Sequence, residues 1–177
     1  LAIAFVGVAS FVSGQDFRKA TWGMTKSEVK ASEDLEIIEQ DEGFIMYETT
    51  LAGYDVYLGY FFINGKLTRA RYVLYEVYFN KQEYINDYEY LNKMLKKKYG
   101  DPIEEKEVWA EGSEWKDDKA FALSLGELEM YNVYATPKTA IMVIIFSEDL
   151  SIGNIIEYTS TDPEINKLEE DKILEDL

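Results

Sequence analysis

Between Asn80 and Pro102 the chain reads NKQEYINDYEYLNKMLKKKYGDP, and its apolar residues recur at helical spacing. Tyr84, Tyr88, Leu91 and Leu95 follow at steps of four, three and four, which puts them on one helix face. Asn80 is a capping residue, with Glu83 three positions on. Glu83, Asp87 and Glu89 precede Lys93, Lys96, Lys97 and Lys98, an order that favours the helix dipole. Gly100 supplies a left-handed cap and Pro102 stops continuation. Upstream, Thr25 and Glu28 form a second capping box, which predicts a short helix over 26–33 with Val29 inward.

Strand patterns flank the central helix. Stretches 35–39 and 44–50 are separated by the turn Asp41-Glu42-Gly43, and Ala52-Gly53 turns again. Tyr54, Val56, Leu58, Tyr60 and Phe62 then alternate with Asp55, Tyr57, Gly59, Phe61 and Ile63. Both sets carry aromatics, so one packs on the core and the other awaits a helix or a partner. Asn64-Gly65 is a type I′ hairpin signal, and 66–75 returns with Leu67, Arg69, Arg71, Val73 and Tyr75 on one side. Beyond the helix, 104–109, 119–125, 128–136 and 139–146 read as strands around a polar loop at 110–118, and 155–159 as an edge strand. Gly53 to Gly126 and Gly65 to Lys138 are each 73 residues apart, which suggests two copies of a helix-plus-four-strand unit.

The ends differ in composition. Residues 1–14 are apolar, uncharged and rich in small residues, and they read as the remnant of a signal peptide. Val12 and Gly14 supply the cleavage-site pattern before Gln15, and the run is too short for a membrane span. One domain over 15–160 follows, with units near 16–79 and 80–160. Residues 161–177 form an acidic tail expected to fray, although Ile165, Leu168 and Ile173 have the spacing of a thin amphipathic helix.

Composition narrows the chemistry. A chain of 177 residues with 47% hydrophobic content builds a real core. A formal net charge of −16 repels nucleic acid and anionic lipid. Cys and His are absent, which excludes thiolate nucleophiles, disulfides, zinc–thiolate sites and imidazole bases. No calcium loop or phosphate-binding glycine loop occurs, so neither metal nor cofactor is expected. Asp55 and Glu129 sit between apolar neighbours, but outward strand positions explain both.

Two features point to binding. Arg69 and Arg71 share a strand face and either clamp an anion or pair with carboxylates across strands, the second being preferred. Aromatics make up 15% of the chain, and Tyr57, Phe61, Tyr72, Tyr75, Tyr78, Tyr131 and Tyr134 fall in the strand region. Tyrosine is enriched at recognition surfaces and is also a good strand former.

Phe17, Arg18, Trp22, Gly23, Met24, Thr25, Glu28 and Val29, then Gly65-Lys66-Leu67, then Lys98-Tyr99-Gly100 with Pro102, resemble a motif set of exported bacterial proteins. That resemblance covers most of 16–160 and implies no catalytic residue. The Trp22-Gly23-Met24-Thr25 start is also similar to small outer-membrane assembly lipoproteins of the SmpA/OmlA type, although their lipidated Cys is absent here. The element order is similar to the beta-lactamase-inhibitor-protein layout. Both comparisons imply protein binding by analogy.

The expected fold is therefore α+β: two tandem helix-plus-antiparallel-sheet units, with helices on one sheet face. The expected function is non-catalytic binding, outside the cytoplasm (secreted or periplasmic), of a protein or cell-envelope component. Tyr57, Phe61, Arg69, Arg71, Tyr72, Tyr131 and Tyr134 are the candidate contacts. A carrier of a small apolar or aromatic ligand is the alternative, and would need an enclosed apolar cavity. A carboxylate-dependent hydrolase comes third, and would need two acids converging in one pocket.

Overall fold

Eight strands form one antiparallel sheet in the order β1-β2-β3-β4-β8-β7-β6-β5. They are β1 (Ile37–Gln40), β2 (Phe44–Leu51), β3 (Tyr54–Ile63), β4 (Lys66–Leu74), β5 (Glu104–Trp109), β6 (Leu128–Ala135), β7 (Thr139–Glu148) and β8 (Ser151–Ser160). The helices are α1 (Lys26–Ser32), α2 (Gln82–Tyr99), α3 (Lys119–Ser124) and α4 (Pro163–Asp176). This computed structural model describes residues 15–176, so the expected leader over 1–14 lies outside the described residues. The chain is α+β, as its patterning predicts, but its helices lie on both sheet faces and not on one, because the acidic tail folds as α4 against the face opposite α2.

The strands fall into two four-stranded meanders, β1–β4 and β5–β8, joined where their last strands pair antiparallel. In that arrangement the Asn64-Gly65 turn corresponds to the β7–β8 turn at Asp149-Leu150, not to Pro137-Lys138. The shared 73-residue offset thus matched turns that are not topological counterparts. Three local expectations are also corrected. Residues 155–159 belong to β8, which lies at the centre of the sheet between β4 and β7. Lys119 to Ser124 is a helix, because the Asp118 side chain accepts the Phe121 N–H and caps it. The acidic tail is the helix α4.

Cross-strand register assigns the two faces. On the inner face, Tyr47, Leu58, Tyr72, Ile156, Val143 and Asn132 stand opposite one another in one row across β2, β3, β4, β8, β7 and β6. Tyr60, Ala70, Tyr158, Ile141 and Tyr134 form the next row. Helix α2 lies on this face through buried Tyr84, Ile85, Tyr88, Leu91 and Leu95. Its entry is an Asx turn: Asn80 Oδ1 accepts the Gln82 N–H at 3.1 Å. Buried Ala122 and Leu123 of α3 and Val29 of α1 complete the core.

The turn before α1 carries a buried charge. Arg18 donates through Nε and a terminal nitrogen to both Glu33 oxygens, at 2.9 and 3.0 Å. The Tyr60 hydroxyl donates to Glu33 Oε1 at 2.5 Å, and Arg18 reaches the Tyr72 hydroxyl at 3.3 Å. Glu33 holds the Arg18 guanidinium above its already high range, and burial followed by Glu33 pushes the Tyr60 hydroxyl well up.

The β7–β8 turn is strained. Asp149 and Leu150 have φ of +49° and +65°, the region a type I′ turn requires and glycine favours. Leu150 is also 70% exposed. Leu150→Gly is expected to stabilise the protein by about 0.5–1 kcal/mol, the relief of left-handed strain less the added chain entropy. A chemical denaturation midpoint that falls would refute it.

Candidate functional site

The outer face of the sheet is built from the alternate strand positions. Across β2 to β5, Glu48, Tyr57, Val73, Ile155, Ile144, Tyr131 and Lys106 oppose one another in a single row. Gly59, Arg71, Glu157, Met142, Val133 and Glu104 make the neighbouring row. Phe44, Phe61, Arg69, Thr159, Ala140 and Ala135 make the next. The apolar members of the first row from Tyr57 to Tyr131 are all half-buried. Helix α4 packs on the β3–β4 part of this face. The helices packed closely on β6, β7 and β8 are α2 and α3, whose buried residues belong to the inner core.

Five of the seven sequence candidates, Tyr57, Phe61, Arg69, Arg71 and Tyr131, share this face. The Tyr57 ring stacks against Tyr75 with centroids 4.4 Å apart. Phe61 lies over Gly59, where a Cβ would stand 3.0 Å from two ring carbons, so glycine lets the ring lie flat on the sheet. The Arg69 and Arg71 guanidinium carbons are 5.5 and 5.4 Å from the Phe61 ring centre. Arg71 also bonds Glu157 at 2.9 and 2.5 Å, while Arg69 lies 3.2 Å from Glu169 of α4. Arg71 therefore pairs across the strands with Glu157, Arg69 is held chiefly by Glu169 of α4, and the charge of both is matched from within. Tyr131 donates to Glu104 at 3.3 Å.

Tyr72 and Tyr134 are corrected: both point into the core. Tyr72 is 4% exposed and packs on Phe17 and Tyr158. Tyr134 is 1% exposed, and its hydroxyl donates to Asn92 Oδ1 at 3.0 Å. The strand alternation separated them from Tyr57 and Tyr131, but composition alone had grouped them. Sequence reasoning missed Val73, Met142, Ile144 and Ile155. The available signal was the run AIMVIIF in β7, which is apolar at every position and so needs cover on both faces.

The motif residues near the N-terminus have structural roles. Phe17 meets Tyr60, Tyr72 and Tyr158 in the core. Trp22 donates its indole N–H to Thr139 at 3.0 Å. The Gly23 N–H donates to the Leu67 carbonyl, and the Leu67 N–H to the Met24 carbonyl, so the first motif adds a rung beside the second. Gly23 takes φ of +82°, and Ile165 of α4 rests against it. Thr25 and Glu28 complete the capping box.

Two open clefts lie elsewhere. One of about 470 Å³, between α2 and β5, is lined by Tyr88, Glu89, Asn92, Glu105, Glu107 and Met130. The other, about 340 Å³, surrounds Asp16, Trp22, Lys138 and Asp162. Among the described residues, no cluster of three or more carboxylates is arranged to hold a metal ion, and no helix is long and apolar enough to cross a membrane. Comparison with protein-family models, curated proteins and solved structures finds no match.

Proposed function

We propose that this chain is an exported, non-catalytic binding protein that recognises a protein or cell-envelope component through the outer sheet face. The row Tyr57–Val73–Ile155–Ile144–Tyr131 carries this reading. Five adjacent apolar or amphipathic side chains, all half-buried, form a strip across five strands, and a contiguous apolar strip that keeps contact with solvent commonly marks an interaction site. Tyrosine at each end gives broad contact at small entropic cost. The carrier alternative has less support, since both clefts are open and the larger one is lined with glutamates. The test is photo-crosslinking in the native host with benzoylphenylalanine at Tyr131, and at exposed Phe79 as control. A second polypeptide captured at Tyr131 and not at Phe79 is the expected result; equal yields at both positions would sink the reading.

A further inference from the structure

Resting on that reading, we infer that the partner presents a basic amphipathic helix, which lies beside α4 on the β6–β8 half of the outer face. The geometry of the sheet supplies the first argument. The two meanders have the same edge-to-seam strand order, yet the helix on this face, α4, packs closely on β3 and β4 of the first. β6, β7 and β8 are eight, ten and ten residues long. Three strands make a floor about 14 Å wide and about 26–34 Å long, which accepts one helix about 10 Å across. Val133, Met142, Ile144 and Ile155 furnish its apolar floor.

Charge supplies the second argument. Glu104 and Glu129 sit on β5 and β6, Glu148 and Asp149 at the β7–β8 tip, and exposed Glu170 and Asp171 on α4. The cations on the face are already engaged: Arg69 and Arg71 with Glu157 and Glu169, and Lys106 with Glu104 at 3.3 Å. With Glu104 shared between Lys106 and Tyr131, Glu129 on the floor's edge and Glu148 and Asp149 at its tip are the carboxylates left for a newcomer. A second copy of this chain would bring −16 against −16, and an acidic helix would meet the same repulsion. A helix with leucine-like residues below and lysine or arginine at its flanks satisfies both floor and rim.

The probe is a fluorescein-labelled 18-residue helix of leucine and lysine, measured by fluorescence anisotropy against leucine/glutamine and leucine/glutamate helices of the same pattern. The leucine/lysine peptide is expected to bind at least tenfold more tightly than the others. Ile144→Asp, or Tyr131→Asp should the first fail to fold, is expected to weaken it at least tenfold despite the added negative charge. Glu104→Lys with Glu129→Lys should lower its advantage at least fivefold. A leucine/glutamine peptide that binds as well, with the same dependence on Ile144, would overturn the basic partner while the sheet face stands as the site. Binding that ignores both Ile144 and Tyr131 would overturn the sheet face as well. If no peptide binds, the helix is refuted, and crosslinking at Tyr131 still reports on the face.

Discussion

Glu33→Ala is expected to lower stability by about 3 kcal/mol and the melting temperature by about 10 °C. The Glu33 side chain is 1% exposed, and both oxygens accept hydrogen bonds. Removing the carboxylate leaves the Arg18 guanidinium and the buried Tyr60 hydroxyl without their shared acceptor. Breaking one side of a buried ion pair typically costs 3–5 kcal/mol. The lower end applies because the Arg18 side chain is 29% exposed and water can solvate part of its charge. The same turn holds Arg18 at φ +50°, a left-handed conformation that the two hydrogen bonds to Glu33 help to keep. Replacing both partners, Arg18→Met with Glu33→Leu, should cost less than Glu33→Ala alone, because no charge is stranded. Thermal melts followed by circular dichroism test both; a loss below about 1 kcal/mol for Glu33→Ala would mean that water replaces the carboxylate freely.

Ile156→Lys should unfold the protein, whereas Ile155→Lys should leave it folded with a loss of about 1–2 kcal/mol. The two residues are neighbours on β8, the strand that joins the meanders. Ile156 is 2% exposed on the inner face, between Tyr72 and Val143. A lysine there would bury an unpaired ammonium and lose the apolar contacts, together above 4 kcal/mol. Ile155 points outward, between Val73 and Ile144, where the ammonium reaches water. Equal damage from both substitutions would show the outer face to be covered over its whole width, and would withdraw the surface on which the binding proposal stands. Far-ultraviolet circular dichroism of the two purified variants decides the matter.

Local chemistry made most of the elements legible in the sequence. The capping box at Thr25 and Glu28, the Asn64-Gly65 turn and the alternation through β3 and β4 each act over a few residues, and each appears in the fold. What depended on distant contacts was hidden. The patterned stretch 119–125 has enough apolar character for a strand, but the Asp118 cap and the packing of Ala122 and Leu123 draw it into a helix. The acidic tail has little periodicity of its own; α4 is held by Ile165 on Gly23 and Glu169 beside Arg69, partners more than 90 residues away in the chain. Likewise, no local signal distinguishes a central β8 from an edge strand. The candidate site was half legible. Alternation pairs Tyr57 with Phe61 and Arg69 with Arg71, and the same alternation sets Tyr72 on the opposite side of β4 and Tyr134 on the opposite side of β6 from Tyr131.

The seam between β4 and β8 also sets the order in which the molecule is made. Its rungs, Arg69 with Thr159 through Leu74 with Asn154, join residues 80 or more positions apart. A chain that emerges N-terminus first, whether from a ribosome at about 5–20 residues each second or from an export channel, leaves β4 without its neighbour until β8 follows. During that interval the first meander carries a complete row of unpaired backbone groups along β4, open to any extended strand that meets it first. Closing so long a loop is slow beside the folding of either hairpin. Late arrival of β8 therefore makes strand exchange between nascent chains the characteristic error of this topology, and a dimer swapped at β8 its expected form.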